Sequence, residues 1–351
     1  MKKSYFMMAA AATIFAACSE TDLVNPVYEA QNEIGFDNHV GKTTRAEITN
    51  EAALAKEGGF VVWGWKTPTS NKAWASATQI FNKVNVYDAS TELGEKGDAT
   101  VWTYTNKKYW DKTSTYNFYA VAPFRPASDT YSVTNAATGF VTITGVKSAL
   151  ASESDDFMVD RNGAQDVNGD YTGSHAEVNF DFNHIMAKVS LQLQCGGINA
   201  GDQITVTSIT MTGWNSNNGT FTQKFNATPT LGDISEWEMT NGTAGSATFT
   251  DSYELTPATD GGTASIVPVN SYIMVPQTVA ELTFTLNYTI TYADATTENF
   301  LAHTGKLTAQ TWGTDTHTTY TIIVGPAPIE FEVNTVAGFR NAAANPELPI
   351  D

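Results

Sequence analysis

The chain has 351 residues, of which 42% are apolar and 16% are charged, and its formal net charge is −18. This composition excludes a chain that is disordered throughout, because it provides enough apolar residues to build substantial cores. The acidic charge, with no Lys/Arg run beyond the first residues, argues against nucleic acid as a partner, since polyanions are bound mainly by cationic side chains. The length favours two domains.

Residues 1–17 are typical of a secretory signal peptide. Two lysines form a positive region, and residues 6–17 form an apolar stretch that is too short to cross a bilayer, which needs about 20 residues. Two alanines then precede Cys18, an arrangement that resembles the bacterial lipoprotein box. The polar and acidic residues 19–22 resemble the surface-export tag of Bacteroidetes lipoproteins. We expect lipidation of Cys18 and anchoring in the outer membrane; the alternative is an ordinary cleaved signal beside an incidental cysteine.

Residues 18–45 are predicted to form a lipid tether that ends in a short strand. Ile34 and Phe36 alternate with Glu33, Gly35 and Asp37, which is the period-two pattern of a strand with one apolar face. The strand pattern stops at residues 41–45.

Residues 46–174 are predicted to form an N-terminal β-sandwich. Runs of apolar, β-branched and aromatic residues separated by Gly, Asn, Asp and Ser clusters indicate strands. These runs are residues 60–65, 80–87, 116–122 and 140–146. A helical turn is expected only near residues 51–56. The polar stretch 152–174 indicates a boundary near its end.

Residues 175–327 are predicted to form a C-terminal β-sandwich. Apolar residues alternate with polar ones in several segments, which indicates strands with one buried and one solvated face. These segments are residues 178–182, 189–193, 204–206, 282–292 and 320–324. If Cys18 carries lipid, Cys195 has no disulfide partner, and we expect it to be a small apolar core residue.

Residues 328–351 are predicted to form a tail that begins with one more strand. Two prolines, Pro326 and Pro328, end regular pairing of the preceding sheet. Ile329, Phe331 and Val333 then alternate with polar residues. The tail therefore repeats the Ile-x-Phe spacing of the first strand.

No cofactor and no catalytic group is predicted. The spacing of a calcium loop is present at Asp166, Asn168, Asp170, Ser174 and Glu177. Tyr171 lies where that loop needs glycine, so the segment is interpreted as a solvated loop. The five histidines show no zinc spacing, and no nucleophile elbow or nucleotide-binding motif is present.

The sequence leaves two roles open for some of the tryptophans. Trp63 and Trp65 share one face of a predicted strand and are expected in the core. Trp74, Trp102 and Trp110 lie nearer polar turns, where exposed aromatic rings could stack on sugars or simply fill the core.

Several dispersed motifs resemble the fimbrillin (Mfa-like, type V pilin) family of Bacteroidales surface lipoproteins. Two of these features are the lipoprotein signal and the early strand. The other three motifs are Thr43-Thr44-Arg45-Ala46, the segment from Phe180-Asp181-Phe182-Asn183-His184 to Val189, and the ending from Trp312 to Val324. The resemblance spans most of the chain. It implies an all-β fold of two transthyretin-like Greek-key β-sandwich domains in tandem after the signal peptide.

The resemblance also implies how such a subunit matures. In stalk subunits of this family an arginine-specific protease cuts after an Arg near the N-terminus, and here the matching bond is Arg45-Ala46. The cut would release the lipid together with the Ile34/Phe36 strand and uncover an edge that invites strand addition. The alternative is that Arg45 is a solvated linker residue that is never cut.

We therefore interpret the chain as a non-enzymatic subunit of surface fimbriae that serves adhesion. Its tail, through Ile329, Phe331 and Val333, is the candidate donor strand for another subunit. The expected partners are other fimbrial subunits, the outer membrane through the N-terminal lipid, the protease, and a host or microbial surface ligand. The alternative is a monomeric surface glycan-binding lipoprotein.

Overall fold

The structure is a computed structural model. It describes residues 33–40, 51–71, 73–89, 101–124, 131–136, 139–151, 156–160, 164–168, 177–217, 219–225, 234–240, 243–258 and 264–337. The predicted lipidation residue Cys18 and the predicted cleavage residues Arg45 and Ala46 lie outside these ranges. No helix in the described part of the chain is long and apolar enough to cross a membrane.

The described residues of the first half form one short α-helix, one 3-10 helix and eleven strands. The helix α1 is Glu51–Lys56 and the 3-10 helix is Trp74–Ser76. The strands are β1 (Gly35–Val40), β2 (Phe60–Pro68), β3 (Thr78–Asp88), β4 (Trp102–Thr103), β5 (Ser114–Ala122), β6 (Tyr131–Ala136), β7 (Gly139–Val146), β8 (Ala149–Leu150), β9 (Met158–Asp160), β10 (Ala164–Asn168) and β11 (Glu177–His184).

All of the described regular elements in the second half are strands. They are β12 (Ala187–Cys195), β13 (Gln203–Asn217), β14 (Gly219–Phe225), β15 (Ile234–Thr240), β16 (Thr243–Phe249), β17 (Tyr253–Leu255), β18 (Val267–Met274), β19 (Gln277–Thr291), β20 (Thr297–Trp312), β21 (Thr316–Val324) and β22 (Glu330–Ala337). The predicted all-β fold class is therefore confirmed, and the predicted turn near residues 51–56 is the helix α1.

Four sheets organise these strands. An eight-stranded sheet has the order β1-β11-β9-β5-β2-β3-β4, with β10 beside β5, and a four-stranded sheet has the order β15-β14-β7-β6. Two five-stranded sheets follow, one with the order β22-β21-β12-β18-β8 and one with the order β16-β13-β19-β20, in which β17 pairs with β13. The first and last described strands, β1 and β22, therefore each lie at the edge of a sheet.

The eight-stranded sheet is covered on both faces, which explains why β5 is buried along its whole length. Phe60 and Val62 of β2 belong to a cluster on one face, together with Ile34 and Phe36. Trp63 and Trp65 point to the other face, where they pack in a cluster that reaches the four-stranded sheet. Both tryptophans are buried, as the sequence predicts.

A third cluster fills the space between the two five-stranded sheets. Alternate residues of β12 and β19 point into it, in the period-two pattern read from the sequence. Cys195 is buried in this cluster, and burial raises the pKa of its thiol. The prediction that Cys195 is a core residue is confirmed.

The two predicted domains share strands across the predicted boundary. β11 follows residue 174 in sequence but pairs with β1 and β9 in the eight-stranded sheet. β7 precedes that boundary but pairs with β14. From the pairing of β11 we propose a division after His184; the pairing of β7 with β14 joins the two halves across this boundary as well.

Of the residues with the spacing of a calcium loop, those that the structure describes lie in strands. Asp166 and Asn168 lie in the strand β10 and Glu177 opens the strand β11, whereas a calcium loop needs a sharp turn between its ligands. Asp170 and Ser174 lie outside the described residues. Among the residues that are described, no group of three His, Cys, Asp or Glu is placed to hold a metal ion.

Candidate functional site: the two edge strands

The strand β1 lies at one edge of the eight-stranded sheet, parallel to β11. Gly35 pairs with Glu177 and Phe36 with Val178. A Cβ on Gly35 would lie 2.9 Å from Cγ of Glu177, so the glycine lets the two strands approach closely at the start of the pair. β1 and β11 are far apart in sequence, so β1 is attached at this edge by tertiary contacts alone.

Two apolar side chains, Ile34 just before β1 and Phe36 within it, are inserted into the core. Ile34 is 0% exposed and Phe36 is 3% exposed. The Phe36 ring centroid lies 5.2 Å from that of Phe81, 5.4 Å from Tyr104, 5.7 Å from Phe118 and 5.9 Å from Phe180. These four aromatic residues form what we call the N-terminal slot, and removal of β1 would open it to solvent.

The backbone of Ile34 is held on its other side by the segment that follows β4. The Ile34 N–H donates to the Lys108 carbonyl at 2.8 Å, and the Tyr104 hydroxyl donates to the Ile34 carbonyl at 2.8 Å. Burial raises the pKa of Tyr104 above its usual range, although the hydrogen bond from the Lys108 N–H opposes this shift. The phenol is therefore a neutral donor at physiological pH.

An ion pair at the surface completes this attachment. Lys107 Nζ lies 2.5 Å from Glu33 Oε1, and both side chains are partly exposed. Exposed pairs of this kind contribute about 0–1 kcal/mol, so the two buried apolar side chains carry most of the binding energy of β1.

The tail strand β22 lies at the edge of a five-stranded sheet, antiparallel to β21. Phe331 pairs with Ile322, and Val333 pairs with Tyr320. Ile329, just before the strand, is 8% exposed, Phe331 is partly buried, and Val333 is 43% exposed. The predicted donor residues are therefore docked on their own subunit in this structure.

Ile329 and Phe331 occupy a slot of their own, formed by Phe284 of β19 and Gly305 of β20. The Phe331 ring centroid lies 5.2 Å from that of Phe284. A Cβ on Gly305 would lie 2.7 Å from Cζ of Phe331 and 2.9 Å from Cγ2 of Ile329. We call this the tail slot; it is shallower than the N-terminal slot, because Phe331 keeps part of its surface exposed and Phe36 does not.

The motif from Phe180 to Val189 has a structural role. Phe180 forms a wall of the N-terminal slot, and His184 Nδ1 lies 2.8 Å from Oδ1 of Asp156, with both side chains buried. The strand β12 then begins at Ala187 and enters the C-terminal core. The motif thus links the slot to the second half of the chain.

Of the two roles left open for Trp102 and Trp110, the structure favours core packing over a sugar platform. Trp110 is 9% exposed, and its ring lies 4.8 Å from that of Tyr116. Trp102 is partly buried, and its ring lies 5.1 Å from that of Phe60. The side chain of Trp74 is outside the described part. Trp102 and Trp110 therefore pack within the first half of the chain and are not displayed to solvent.

Comparisons with known proteins identify a matching family and similar solved structures. A family described as fimbrillin-like matches residues 44–338. A crystal structure of a fimbrial protein from Bacteroides vulgatus is similar, with 17% identity and a TM-score of 0.58, over 87% of this chain and 99% of that one. A putative cell adhesion protein from Bacteroides ovatus has 14% identity and a TM-score of 0.44, over 88% of this chain and 98% of that one. No curated protein matches the chain.

Proposed function

The chain belongs to the fimbrillin-like family, and from this premise we propose that it is a structural subunit of surface fimbriae, exported as a lipoprotein, assembled by strand exchange and used in adhesion. The family consists of structural proteins, so the chain is not an enzyme. Its function then depends on which of its own strands can be replaced by a strand of another subunit.

The observation that carries the proposal is the position of β1. This strand is the first one described, it lies at a sheet edge, and its Ile34 and Phe36 fill a slot made by residues far away in sequence. The cleavage candidate Arg45-Ala46 follows β1 in sequence. After cleavage, β1 would be bound only by non-covalent contacts, and a strand from another subunit could replace it.

The tail is suited to be that replacement. It presents Ile329 and Phe331 with the same spacing as Ile34 and Phe36. When the tail leaves the tail slot, Phe331 loses its close ring contact with Phe284. If the tail enters an emptied N-terminal slot, Phe331 gains the four aromatic neighbours that surround Phe36. Exchange between subunits therefore increases the buried apolar area, which stabilises the assembly by about 25 cal/mol per Å².

Export and anchoring rest on the N-terminal residues. Cys18 carries the lipid, including palmitate, that holds the precursor in the outer membrane, and the arginine-specific protease then releases the mature subunit into the fimbrium. The proposed partners are other fimbrial subunits, through the N-terminal slot and the tail, and a host or microbial surface ligand.

The experiment that tests this function is limited digestion of residues 19–351, without lipid, by an arginine-specific protease. We expect a new N-terminus at Ala46, followed by a ladder of oligomers on size-exclusion chromatography and denaturant-free gels. The change Arg45→Lys should prevent both results, because the protease requires Arg. The matched control Arg161→Lys should leave both unchanged. A chain that stays intact at Arg45, or a cut chain that stays monomeric, would contradict the proposal.

A further inference from the structure

The N-terminal slot makes two kinds of contact that any strand with Ile-x-Phe spacing could reproduce. Its aromatic residues surround the Phe36 ring. Its hydrogen bonds to Ile34 involve only backbone atoms of that residue, which meet the Lys108 carbonyl and the Tyr104 hydroxyl. These contacts do not distinguish one such strand from another. Selection between donor strands therefore depends on the rim of the slot, where side chains meet the residues on either side of Ile34.

Glu177 lies against the position between the two apolar anchors. It pairs with Gly35 across the parallel strands β1 and β11. A Cβ at position 35 would lie 2.9 Å from Cγ of Glu177 and 3.8 Å from its Oε1. Any side chain there would have to displace the Glu177 side chain, and a carboxylate there would also meet a like charge, which destabilises a cross-strand pair. The φ of Gly35 is not in the left-handed region, so this close approach explains the glycine.

Lys107 contacts the residue before the first anchor. Its Nζ lies 2.5 Å from Oε1 of Glu33. The same Nζ lies 4.5 Å from the centre of the Tyr104 ring and 2.8 Å from Oγ1 of Thr103, and these contacts hold the ammonium group in place. The rim therefore presents a cation beside position 33 and a carboxylate beside position 35.

The tail of this chain matches the anchors of the slot but not its rim. When the two tail anchors occupy the slot, Pro328 takes position 33 and Glu330 takes position 35. Proline offers no carboxylate to Lys107, and Glu330 places both a side chain and a like charge against Glu177. The tail can enter, because the anchors carry most of the binding energy, but it binds more weakly than a strand that also matches the rim.

We propose that Glu177 and Lys107 determine which donor strand the slot prefers, and that the preferred donor belongs to a different subunit. Its strand carries an acidic residue before the first apolar anchor and a glycine or a basic residue between the two anchors. The aromatic residues of the slot provide affinity, and the two rim residues provide specificity. This inference rests on the proposed strand exchange and names the class of partner for it.

The test measures the uptake of fluorescent peptides of residues 326–337 by residues 19–351 cut at Arg45, with the peptide in large excess over a dilute subunit. Three peptides are compared, namely the natural sequence, Pro328→Glu/Glu330→Gly and Glu330→Lys. We expect both changed peptides to bind about fivefold more tightly than the natural one, which is the size of effect that an exposed charge contact allows.

The subunit variant Glu177→Lys locates the bound peptide. On this subunit the order of the natural and Glu330→Lys peptides should reverse, because the charge that each peptide meets has changed sign. The matched control Glu254→Lys reverses an exposed charge on β17, in the second half of the chain, and should leave the order unchanged.

A second measurement needs no strand exchange. In the uncut chain, Gly35→Glu should have an about fivefold smaller folding equilibrium constant in urea denaturation than Gly35→Lys, and adding Glu177→Lys should reverse this order. The inference is overturned if the peptides bind equally, if Glu177→Lys leaves their order unchanged, or if the two uncut variants are equally stable. Absence of uptake of every peptide would overturn strand exchange and this inference with it, so the two failures are distinguishable.

Discussion

Replacing Ile329 and Phe331 with Asp should abolish assembly of the protease-treated subunit while the subunit stays folded. Each apolar side chain contributes about 1.5–3 kcal/mol when it is fully buried. An Asp in the same place adds the cost of burying a charge. Loss of both side chains should therefore weaken association by at least about 100-fold. Size-exclusion chromatography after cleavage measures the effect.

Folding of this double variant needs its own control, because Ile329 and Phe331 also fill the tail slot. The tail is an edge strand, so its release should leave the sheets beneath it paired, and circular dichroism should show an unchanged β spectrum. The variant Glu330→Ala/Glu332→Ala alters the two exposed residues of the tail that flank Phe331 and should assemble normally. Normal oligomers from the Asp variant would show that the tail is not the donor.

Truncation of the N-terminal strand side chains should have the largest effect on stability. Phe36→Ala should lower the free energy of unfolding of the uncut chain by about 3–5 kcal/mol and Ile34→Ala by about 2–5 kcal/mol, because each leaves a cavity in a packed core. Urea denaturation measures both. Leu301→Ala is the matched control, since Leu301 is 80% exposed and its loss should change stability by less than about 0.5 kcal/mol.

These variants also test how β1 is attached. If Phe36→Ala left the stability unchanged, the strand would contribute little to the fold, and its removal could not uncover a high-affinity slot. A large loss means that the N-terminal slot is a strong apolar site once β1 has left.

Alternation in the sequence predicted the strands whose apolar residues point steadily to one face. β11, β12 and β19 fall where this pattern is clear. β20 was missed although it has 16 residues, because it is largely exposed and carries Ala302 and Ala309 with positive φ. Bulges shift the face to which later residues point, and the period-two pattern is lost.

β13 shows the same limit. The sequence indicated residues 204–206, but the strand runs from Gln203 to Asn217. Its register shifts between Val206 and Ser208 and again between Thr212 and Trp214. At the second shift Gly213 has a φ of 102°, and its Cβ would lie 2.1 Å from the carbonyl oxygen of Glu281, so only glycine fits the bulge.

The candidate site was predictable in its residues but not in its contacts. Spacing alone identified Ile34 with Phe36 and Ile329 with Phe331 as side chains that share a face. It could not identify Phe180 or Phe284 as their neighbours, because these contacts join segments that are distant in sequence. Nor could it identify Gly305, whose missing side chain makes the tail slot and which resembles any other glycine in sequence.

The most direct measurement follows the tail from one slot to the other. Phe331 is replaced by the photo-crosslinking residue p-benzoylphenylalanine in a chain mixed with isotope-labelled unmodified chains, and crosslinked peptides are identified by mass spectrometry. Before cleavage, crosslinks should join the tail to β19 and β20 of the same chain, at Phe284 and Gly305.

After cleavage and oligomer formation, the account predicts crosslinks to β3, β5 and β11 of a different chain, at Phe81, Phe118 and Phe180. Crosslinks that stayed on β19 and β20 of the same chain in the oligomers would contradict strand exchange through the tail.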